Sequence, residues 1–369
     1  MKVLMLVTKR QRRGAEVSAW NLSRQLQKLG VEIVFAGIYE NQQNELVLEG
    51  ADNIDFGQWN NKLIDLKIVR ALVKLIHDEN IRIVQANGSD TLKYAVAAKF
   101  SGAKIKIVYR NISIISTWVN SVWKKRFYTI LFGNVDKVVS VGEKAKQDFT
   151  AFFNYPAHKI ESIHRGIPIQ KVISDKKNLL APLGLASEDL VAMHVGSFSA
   201  EKNHRFLINA WKLVVAKKPN ASLLLVGEGA TMAEIQKQVS GAGMNSSVRF
   251  LGYQANVQEW LHAANLCCLC SLVEGVPGVL LEAGAQKRPS VAVNVGGVSE
   301  AVEHGVSGIL IDTHDEEAFA TAVVQLFENE ALQAKMGENA YELVKSEFDE
   351  IRNAQKFIAI YKGLGHSLD

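Results

Sequence analysis

The sequence predicts an α/β protein of two domains, each a doubly wound parallel sheet with helices on both faces. Three observations predict it. Short β-branched apolar runs alternate with longer amphipathic stretches, a pattern that favours parallel strands covered by helices. The alternation restarts after a polar stretch at residues 167–184, which holds two of the six prolines. The length of 369 residues exceeds one ordinary core and suits two domains.

The period of the apolar residues predicts each element in turn. In the first half we expect strands at residues 3–7, 31–36, 81–85, 105–109 and 137–141, and helices at 16–29, 64–76 and 90–100. In the second half we expect strands at 190–195, 222–226, 248–251, 266–269, 290–293 and 308–311, and helices at 202–215, 231–240, 257–263, 280–286 and 298–301. The pattern of residues 332–364 is helical, and no further predicted strand remains for these helical residues to pack against. We therefore expect domains at 1–170 and 171–345, with residues 346–369 packing back on the first domain.

The composition describes a soluble globular protein, with 48% hydrophobic and 22% charged residues. No apolar run approaches the roughly 20 residues that cross a bilayer, and the apolar opening at residues 1–7 is too short for a signal-peptide core. Cys267, Cys268 and Cys270 lie in one apolar run without a second cluster at ligand spacing, which favours a buried strand over a metal site. These features predict a cytoplasmic protein.

The charge is divided unequally between the halves. Residues 1–170 hold 25 Lys and Arg against 15 Asp and Glu, whereas residues 171–369 hold 17 against 23. The basic stretches are residues 9–13 and 118–128, and the second mixes cations with Trp, Phe and Tyr. This mixture suits an anionic membrane surface, although a core helix with a charged outer face has the same composition. We expect no nucleic-acid partner, because no nucleic-acid-binding module is recognisable.

The segment with the clearest chemistry is residues 271–283. A strand leads into a Gly/Pro loop and then directly into a helix, so backbone N–H groups and the positive helix end form an anion site. Glu274 and Glu282 frame this site, and carboxylates accept hydrogen bonds from hydroxyls. A ligand with a phosphate in the middle and hydroxyls at both ends, such as a nucleotide sugar, fits the arrangement.

The Glu-x7-Glu spacing resembles the hallmark of the retaining GT-B glycosyltransferases of the group 1 or family 4 type. The resemblance implies two Rossmann-like domains facing a cleft and a hexosyltransferase-type enzyme. Such an enzyme moves a sugar from a nucleotide-diphosphate sugar to an acceptor with retention of configuration, here a lipid-linked or cell-surface glycan. It also implies that Glu274 contacts the hydroxyls of the transferred sugar and Glu282 those of the ribose. The intervening donor-binding residues are then Gly275, Val276, Pro277, Gly278 and Val279.

Other segments match the family in order along the chain. Gly196 and Lys202 resemble its glycine, spacer and diphosphate-binding lysine, although Ser197 stands where many members have arginine. A replacement cation is then expected from Arg205, Arg165 or Arg10. The resemblance further assigns Gly227, Tyr253 and Gly14 to the donor, and Arg13 and Glu16 to the acceptor, while Glu16 also suits a helix N-terminus. The segment at residues 294–300 resembles another recurring turn of the family, to which we assign a structural role.

Histidines that many relatives carry near the reacting sugar are absent. Arg110 and Asn111 follow the strand at 105–109, and Asn87 follows the strand at 81–85. The family is thought to use the departing phosphate as the base, which relies on positioning and charge stabilisation. The expected catalytic residues are therefore Glu274, Lys202, Asn111 and Arg110, and the expected acceptor contacts include Asn87 and Arg110.

Three other functions remain open from the residues. A nucleotide-sugar epimerase of the same fold would need a protein acid or base in the cleft. A non-catalytic nucleotide-sugar-binding protein is compatible with Ser197 and with the missing histidines. A dehydrogenase is indicated only by Gly227-x-Gly229. No Asp-x-Asp metal motif is present, so we expect neither a cofactor nor a metal requirement.

Overall fold

The computed structural model describes residues 1–11, 14–41, 46–59, 63–169, 172 and 174–365. The chain divides into two compact units. The first contains Met1–Gly166 together with Glu350–Asp369, and the second contains Ile167–Asp349. The chain thus leaves the first unit after residue 166, against an expected 170, and returns at residue 350, against an expected 346.

The first unit is built on a seven-stranded sheet. Its strands are β1 (Lys2–Lys9), β2 (Glu32–Tyr39), β3 (Asp52–Asp55), β4 (Ile83–Asn87), β5 (Lys106–Asn111), β6 (Lys137–Ser140) and β7 (Ile160–Ser162). They lie in the order β3-β2-β1-β4-β5-β6-β7 and every neighbouring pair is parallel. The helices between them are α1 (Gly14–Lys28), α2 (Leu66–Asp78), α3 (Ser89–Phe100), α4 (Val122–Gly133) and α5 (Glu143–Phe153).

The second unit repeats the plan with six strands. These are β8 (Leu190–Val195), β9 (Ala221–Val226), β10 (Val248–Gly252), β11 (Leu266–Leu269), β12 (Ser290–Val293) and β13 (Gly308–Ile311), all parallel in the order β10-β9-β8-β11-β12-β13. The helices are α6 (Lys176–Leu180), α7 (His204–Lys217), α8 (Met232–Gly241), α9 (Val257–Ala263), α10 (Gly278–Ala285), α11 (Val298–Ala301), α12 (Glu316–Glu328) and α13 (Glu330–Leu343). Two doubly wound parallel sheets confirm the predicted fold class.

Each sheet is buried on both faces, as its continuous apolar strands require. In the first unit, one face packs on α2 to α5, and the other packs on α1 and the last helix, α14 (Glu350–Gly365). The apolar residues of α14 that needed burial, Phe357, Ile360 and Tyr361, lie in this second cluster with Leu22 and Leu26 of α1. The second sheet likewise has one core on each face.

Several elements were not predicted from the sequence. The strands β3 and β7 are the two edges of the first sheet, short and in part polar, so they lack a long apolar run. The helices α5, α6 and α12 also went unpredicted, and α4 was expected only as one interpretation of the basic stretch at residues 118–128. The interpretation of Cys267, Cys268 and Cys270 is confirmed, since all three are fully buried free thiols in or next to β11. Among the described residues, no helix is long and apolar enough to cross a membrane.

Candidate functional site

The two loops with the strongest sequence signals follow two adjacent strands of the second unit. β8 and β11 pair directly, with Leu266 opposite Ala192, and they lie where the strand order changes direction. At such a switch point the loops after neighbouring strands turn away to opposite sides, which opens a crevice at the carboxyl edge. The segment 196–203 follows β8 and the segment 270–277 follows β11, so both meet at this crevice.

The two loops are joined by a charged pair. Lys202 Nζ lies 2.5 Å from Glu274 Oε1, and the Ser271 hydroxyl donates to the same oxygen at 2.6 Å. The side chains of Lys202 and Glu274 are 25% and 10% exposed, so a ligand in the crevice can reach both. Among the described residues, no group donates to Oε2 of Glu274. That oxygen is available to accept a hydrogen bond from a hydroxyl.

Lys202 does not open a helix, as the sequence had suggested. It closes a short 3-10 turn, Ala200–Lys202, and α7 begins at His204. Between them, Asn203 has a φ of 52°, a left-handed conformation that asparagine tolerates better than most residues. The Leu272 N–H donates to the Glu201 carbonyl at 2.7 Å, which fixes the lysine loop against the glutamate loop.

The start of α10 is the second component of the site. Pro277 precedes the helix with a φ of −74°, and no side chain within the described residues caps the helix start. The first N–H groups of the helix therefore lack partners within it and present partial positive charge. Glu282 is half-buried on the same helix, and a Cβ built on Gly278 would lie 4.0 Å from its Oε1. The carboxylate thus lies next to the helix start.

The glycine turn after β9 brings backbone close to the lysine loop. A Cβ on Gly227, whose φ is 131°, would lie 2.0 Å from the Gly196 carbonyl oxygen. A Cβ on Gly229 would lie 2.4 Å from the Phe198 carbonyl oxygen. Any side chain here would push the two loops apart, so the Gly-x-Gly pattern serves close packing at the crevice. Tyr253, which follows β10, is 75% exposed beside this turn and its N–H approaches the Glu228 carboxylate at 3.4 Å.

A second glycine turn, at Gly296 and Gly297, packs against the backbone of the glutamate loop. Gly296 has a φ of 55°, and a Cβ there would lie 1.9 Å from the Glu274 carbonyl oxygen. A Cβ on Gly297 would lie 2.6 Å from the Gly275 carbonyl oxygen. The sequence indicated a structural turn but not its partner. The structure shows that this turn fixes the backbone of the glutamate loop.

Comparisons with known families and structures cover both units of the chain. Residues 12–171 match the family described as Glycosyltransferase Family 4, and residues 175–343 match Glycosyl transferases group 1, which includes the lysine loop and the glutamate loop. Glycosyltransferase families thus match nearly the whole chain, one in each half. Its fold is that of Anabaena Alr3699/HepE in complex with UDP, with a TM-score of 0.82, 22% identity, and coverage of 98% of this chain and 100% of that chain.

Two curated relatives extend the comparison of this glycosyltransferase. It is 32% identical to the N-acetyl-alpha-D-glucosaminyl L-malate synthase of Bacillus anthracis, over 51% of this chain and 49% of the relative. It is 23% identical to the UDP-Gal:alpha-D-GlcNAc-diphosphoundecaprenol alpha-1,3-galactosyltransferase of Escherichia coli, over 80% of this chain and 79% of the relative. The chain therefore spans about half the length of the first relative and about four fifths of the second.

Two histidines that the sequence did not single out lie behind the charged pair. His194 and His204 are 0% and 2% exposed, and their rings meet edge to face at 4.7 Å. Burial lowers the pKa of His194 to about 4 and that of His204 to about 3. His194 Nδ1 lies 2.9 Å from the Cys268 carbonyl oxygen, so the neutral ring carries its proton on Nδ1. Both rings are neutral supports of the Lys202 loop at physiological pH.

The candidates at the start of α1 and the end of β4 lie in the first unit of the glycosyltransferase. Gly14 begins α1, and Glu16 lies in its first turn, 9% exposed and 3.4 Å from the Gln11 side chain. Arg13 lies outside the described residues. Asn87 is 4% exposed, and its amide bonds to the Leu6 carbonyl and to Gln85. Its hydrogen-bonding groups are thus occupied within its own unit.

Arg110 and Asn111 end β5 and point to opposite faces of the sheet. Asn111 is fully buried and donates to Ser140 Oγ and to the Ala145 carbonyl, both at 3.3 Å. Arg110 is 3% exposed and lies under α1 and α14 with Phe357. The structure therefore buries both candidates within the first unit, on opposite faces of its sheet.

The three cations expected as alternatives to the arginine missing at Ser197 lie in different surroundings. Arg10 is 6% exposed and makes a two-pronged ion pair with Asp55, at 3.0 and 2.8 Å. This pair holds the end of β1 to β3 at the sheet edge, so Arg10 has a structural role within the first unit. Arg205 is exposed in the first turn of α7, three residues after Lys202, and Arg165 is exposed in the first unit.

Proposed function

We propose that this group 1 glycosyltransferase transfers a sugar from a nucleotide-diphosphate sugar to a glycan or lipid-linked acceptor, with retention of configuration and without a metal. The observation that carries the proposal is the contact of Lys202 with Glu274 at the switch point, next to the start of α10. A cation and unpaired N–H groups at one edge suit a diphosphate, and two carboxylates beside them suit hydroxyls.

Each residue has a defined role in this proposal. Lys202 and the first N–H groups of α10 bind the diphosphate and stabilise the charge that develops as the sugar departs. Glu282 binds the ribose hydroxyls, and Oε2 of Glu274 accepts a hydrogen bond from the transferred sugar. In the free enzyme, the short contact at 2.5 Å keeps Lys202 in place until the diphosphate arrives. The departing phosphate accepts the acceptor's proton, which requires no protein base.

The relatives support the choice of ligands. Alr3699/HepE has been solved with UDP and with UDP-glucose, and the Escherichia coli relative is named for UDP-galactose and a lipid-linked acceptor. We therefore propose UDP-sugars as the first donors to test. By the same comparison, the acceptor is a lipid-linked or cell-surface glycan intermediate.

A thermal-shift panel tests the donor site. UDP-, GDP- and ADP-sugars are compared with NAD on the wild type, on Glu282→Ala, and on Glu234→Ala, which removes an exposed glutamate of α8 as a matched control. We expect one class of nucleotide sugar to stabilise the wild type and Glu234→Ala, but not Glu282→Ala. Stabilisation by NAD alone would contradict the proposal.

A second measurement separates transfer from mere binding. Incubation with the stabilising donor and a lipid-diphosphate glycan should yield product whose anomeric configuration, read by NMR, matches that of the donor. The rate should be unchanged by excess EDTA. If the donor binds but is neither transferred nor hydrolysed, a non-catalytic binding protein is favoured. Release of an epimerised sugar would favour an epimerase.

We also propose that α4 rests on an anionic membrane surface. Val122, Trp123 and Ile130 are 68%, 77% and 64% exposed on this helix, and Lys125 and Arg126 are exposed among them. Exposed apolar side chains beside cations are typical of helices that lie in the headgroup region. The helix also packs inward through its buried face, so a core role and a surface role coexist.

Vesicle flotation tests this surface. The protein should float with vesicles that contain phosphatidylglycerol and remain unbound with pure phosphatidylcholine. Trp123→Ala should lower the bound fraction several-fold, because an aromatic side chain contributes a large share of the apolar contact. Trp59→Ala, which removes another exposed tryptophan, is the control. Equal loss in both variants would refute a role for α4.

A further inference from the structure

A small cavity lies inside the first unit, under its last helix. It is bordered by Ser18 and Asn21 of α1, by Glu350 and Phe357 of α14, and by the segment 164–166. Arg110, at the end of β5, also lines it. Residues 166 and 350 are also the points where the chain leaves and re-enters this unit. The cavity thus lies where two separated parts of the sequence are held together.

Arg110 is buried here without the partners that a guanidinium requires. It is 3% exposed, and its Nε and NH1 atoms have no hydrogen-bond acceptor among the described residues. A buried charge without partners is strongly unfavourable, and arginine carries five N–H donors. The ring of Phe357 lies 5.7 Å from the guanidinium carbon, a contact that offsets part of the cost but accepts no conventional hydrogen bond.

The charge on Arg110 persists at neutral pH. Burial lowers the pKa of Arg110, but only to about 10. Arg165, on the rim of the cavity, lowers this pKa further, so a second cation lies nearby. Glu350 is the acidic side chain among the lining residues, whereas the groups that act on the pKa of Arg110 are Tyr361 and Arg165. Neither of these two groups supplies a negative charge at neutral pH, because burial raises the pKa of Tyr361 and Arg165 is a cation.

The size of the cavity limits what can supply that charge. The cavity has a volume of ≈ 20 Å³. A cavity that holds one water requires about 10–15 Å³, measured in the same way. A monoatomic anion such as chloride fits this space, whereas a phosphate or a sugar does not.

We propose that Arg110 holds a small monoatomic anion, chloride in solution, in this cavity of the first unit. The anion supplies the counter-charge that the buried guanidinium lacks and accepts hydrogen bonds from Nε and NH1. It links β5 to α1 and α14, and thereby ties the returning end of the chain to the sheet. This role replaces the acceptor contact that the sequence suggested for Arg110.

The proposal is tested on the full chain by thermal unfolding in sodium chloride against sodium gluconate at equal ionic strength. We expect a saturable rise of about 3 °C with chloride, because a ligand that binds only the folded state stabilises it. Arg110→Met should abolish the chloride dependence. Arg24→Met, which removes an exposed arginine of α1, should keep it.

A second measurement does not depend on the folding of a variant. Crystals of the wild type grown in sodium bromide should show an anomalous peak within hydrogen-bonding distance of Arg110 Nε or NH1. Two results would overturn the proposal: equal melting in chloride and gluconate with no bromide peak, or a chloride effect that Arg110→Met retains. Stabilisation by inorganic phosphate but not by chloride would also overturn it, because the site would then be larger than the cavity.

Discussion

Polar residues near the carboxyl ends of strands have different surroundings in the two units. In the second unit, Lys202 and Glu274 come from segments 72 residues apart, touch each other and remain partly exposed. In the first unit, Asn87 and Asn111 are buried, and their amide N–H groups donate to groups of the same unit, while Oδ1 of Asn111 has no hydrogen-bond partner among the described residues. The difference teaches that polar residues at the carboxyl ends of strands have two uses. Partly exposed pairs with unused acceptor atoms mark a ligand site, whereas buried amides that donate within their own unit mark packing.

The largest effect should come from the charged pair. Glu274→Gln should lower the transfer rate about 100-fold, because the amide neither holds Lys202 as an ion pair nor keeps both oxygen acceptors. Glu16→Gln, the matched change in the first unit, should lower it by less than about threefold, in line with a partly structural helix-start role. Steady-state rates with circular dichroism as a folding check provide the measurement. Similar losses in both variants would erase the distinction between the units.

A smaller effect should follow from the glycine turn that supports Glu274. Gly296→Ala places a methyl group 1.9 Å from the Glu274 carbonyl oxygen and should cost about 2–4 kcal/mol of stability. It should also weaken donor binding, because the glutamate loop must move. Gly30→Ala in the first unit has a φ of 83° and no atom within 4 Å, so it should cost only about 1 kcal/mol. Urea unfolding and donor titration measure both, and unchanged donor affinity in Gly296→Ala would contradict the supporting role.

The smallest effect concerns pH. The pKa of His194 is lowered to about 4 and that of His204 to about 3, both by burial. The unfolded chain, in which histidine has a pKa near 6.5, therefore takes up protons that the folded chain excludes. The contribution of these two neutral rings to the free energy of unfolding is fully present above pH 6.5. It is lost as the pH falls from 6.5 towards the folded-state pKa values of about 4 and 3. The loss of stability between pH 6.5 and 5 should be less steep in His194→Gln, and unchanged in His158→Gln, where an exposed ring is removed.

Much of the fold followed from the period of the apolar residues. The central strands were predicted because they are buried on both faces and carry continuous apolar runs, as in β1 and β9. The edges β3 and β7 were not, since an edge strand is stabilised by one neighbour and needs no such run. Helix α7 was placed two residues early, because its start is set by the left-handed Asn203 and not by a hydrophobic pattern.

Less of the site could be predicted. The spacing of Glu274 and Glu282 located the loop and helix, because both lie on one continuous segment. The hydrogen bond from Ser271, the support from Gly296 and the rings of His194 and His204 depend on tertiary contacts, which spacing does not report. The burial of Arg110 could not be predicted either. The register of β5 sets the face on which Arg110 lies, and α14, which covers that face, is distant in the sequence.

The most direct measurement is a crystal structure with the nucleotide sugar that gives the largest thermal shift. We expect diphosphate oxygens within hydrogen-bonding distance of Lys202 Nζ and of the first N–H groups of α10, with the ribose hydroxyls on Glu282. A donor bound anywhere else, with the loops after β8 and β11 empty, would contradict it.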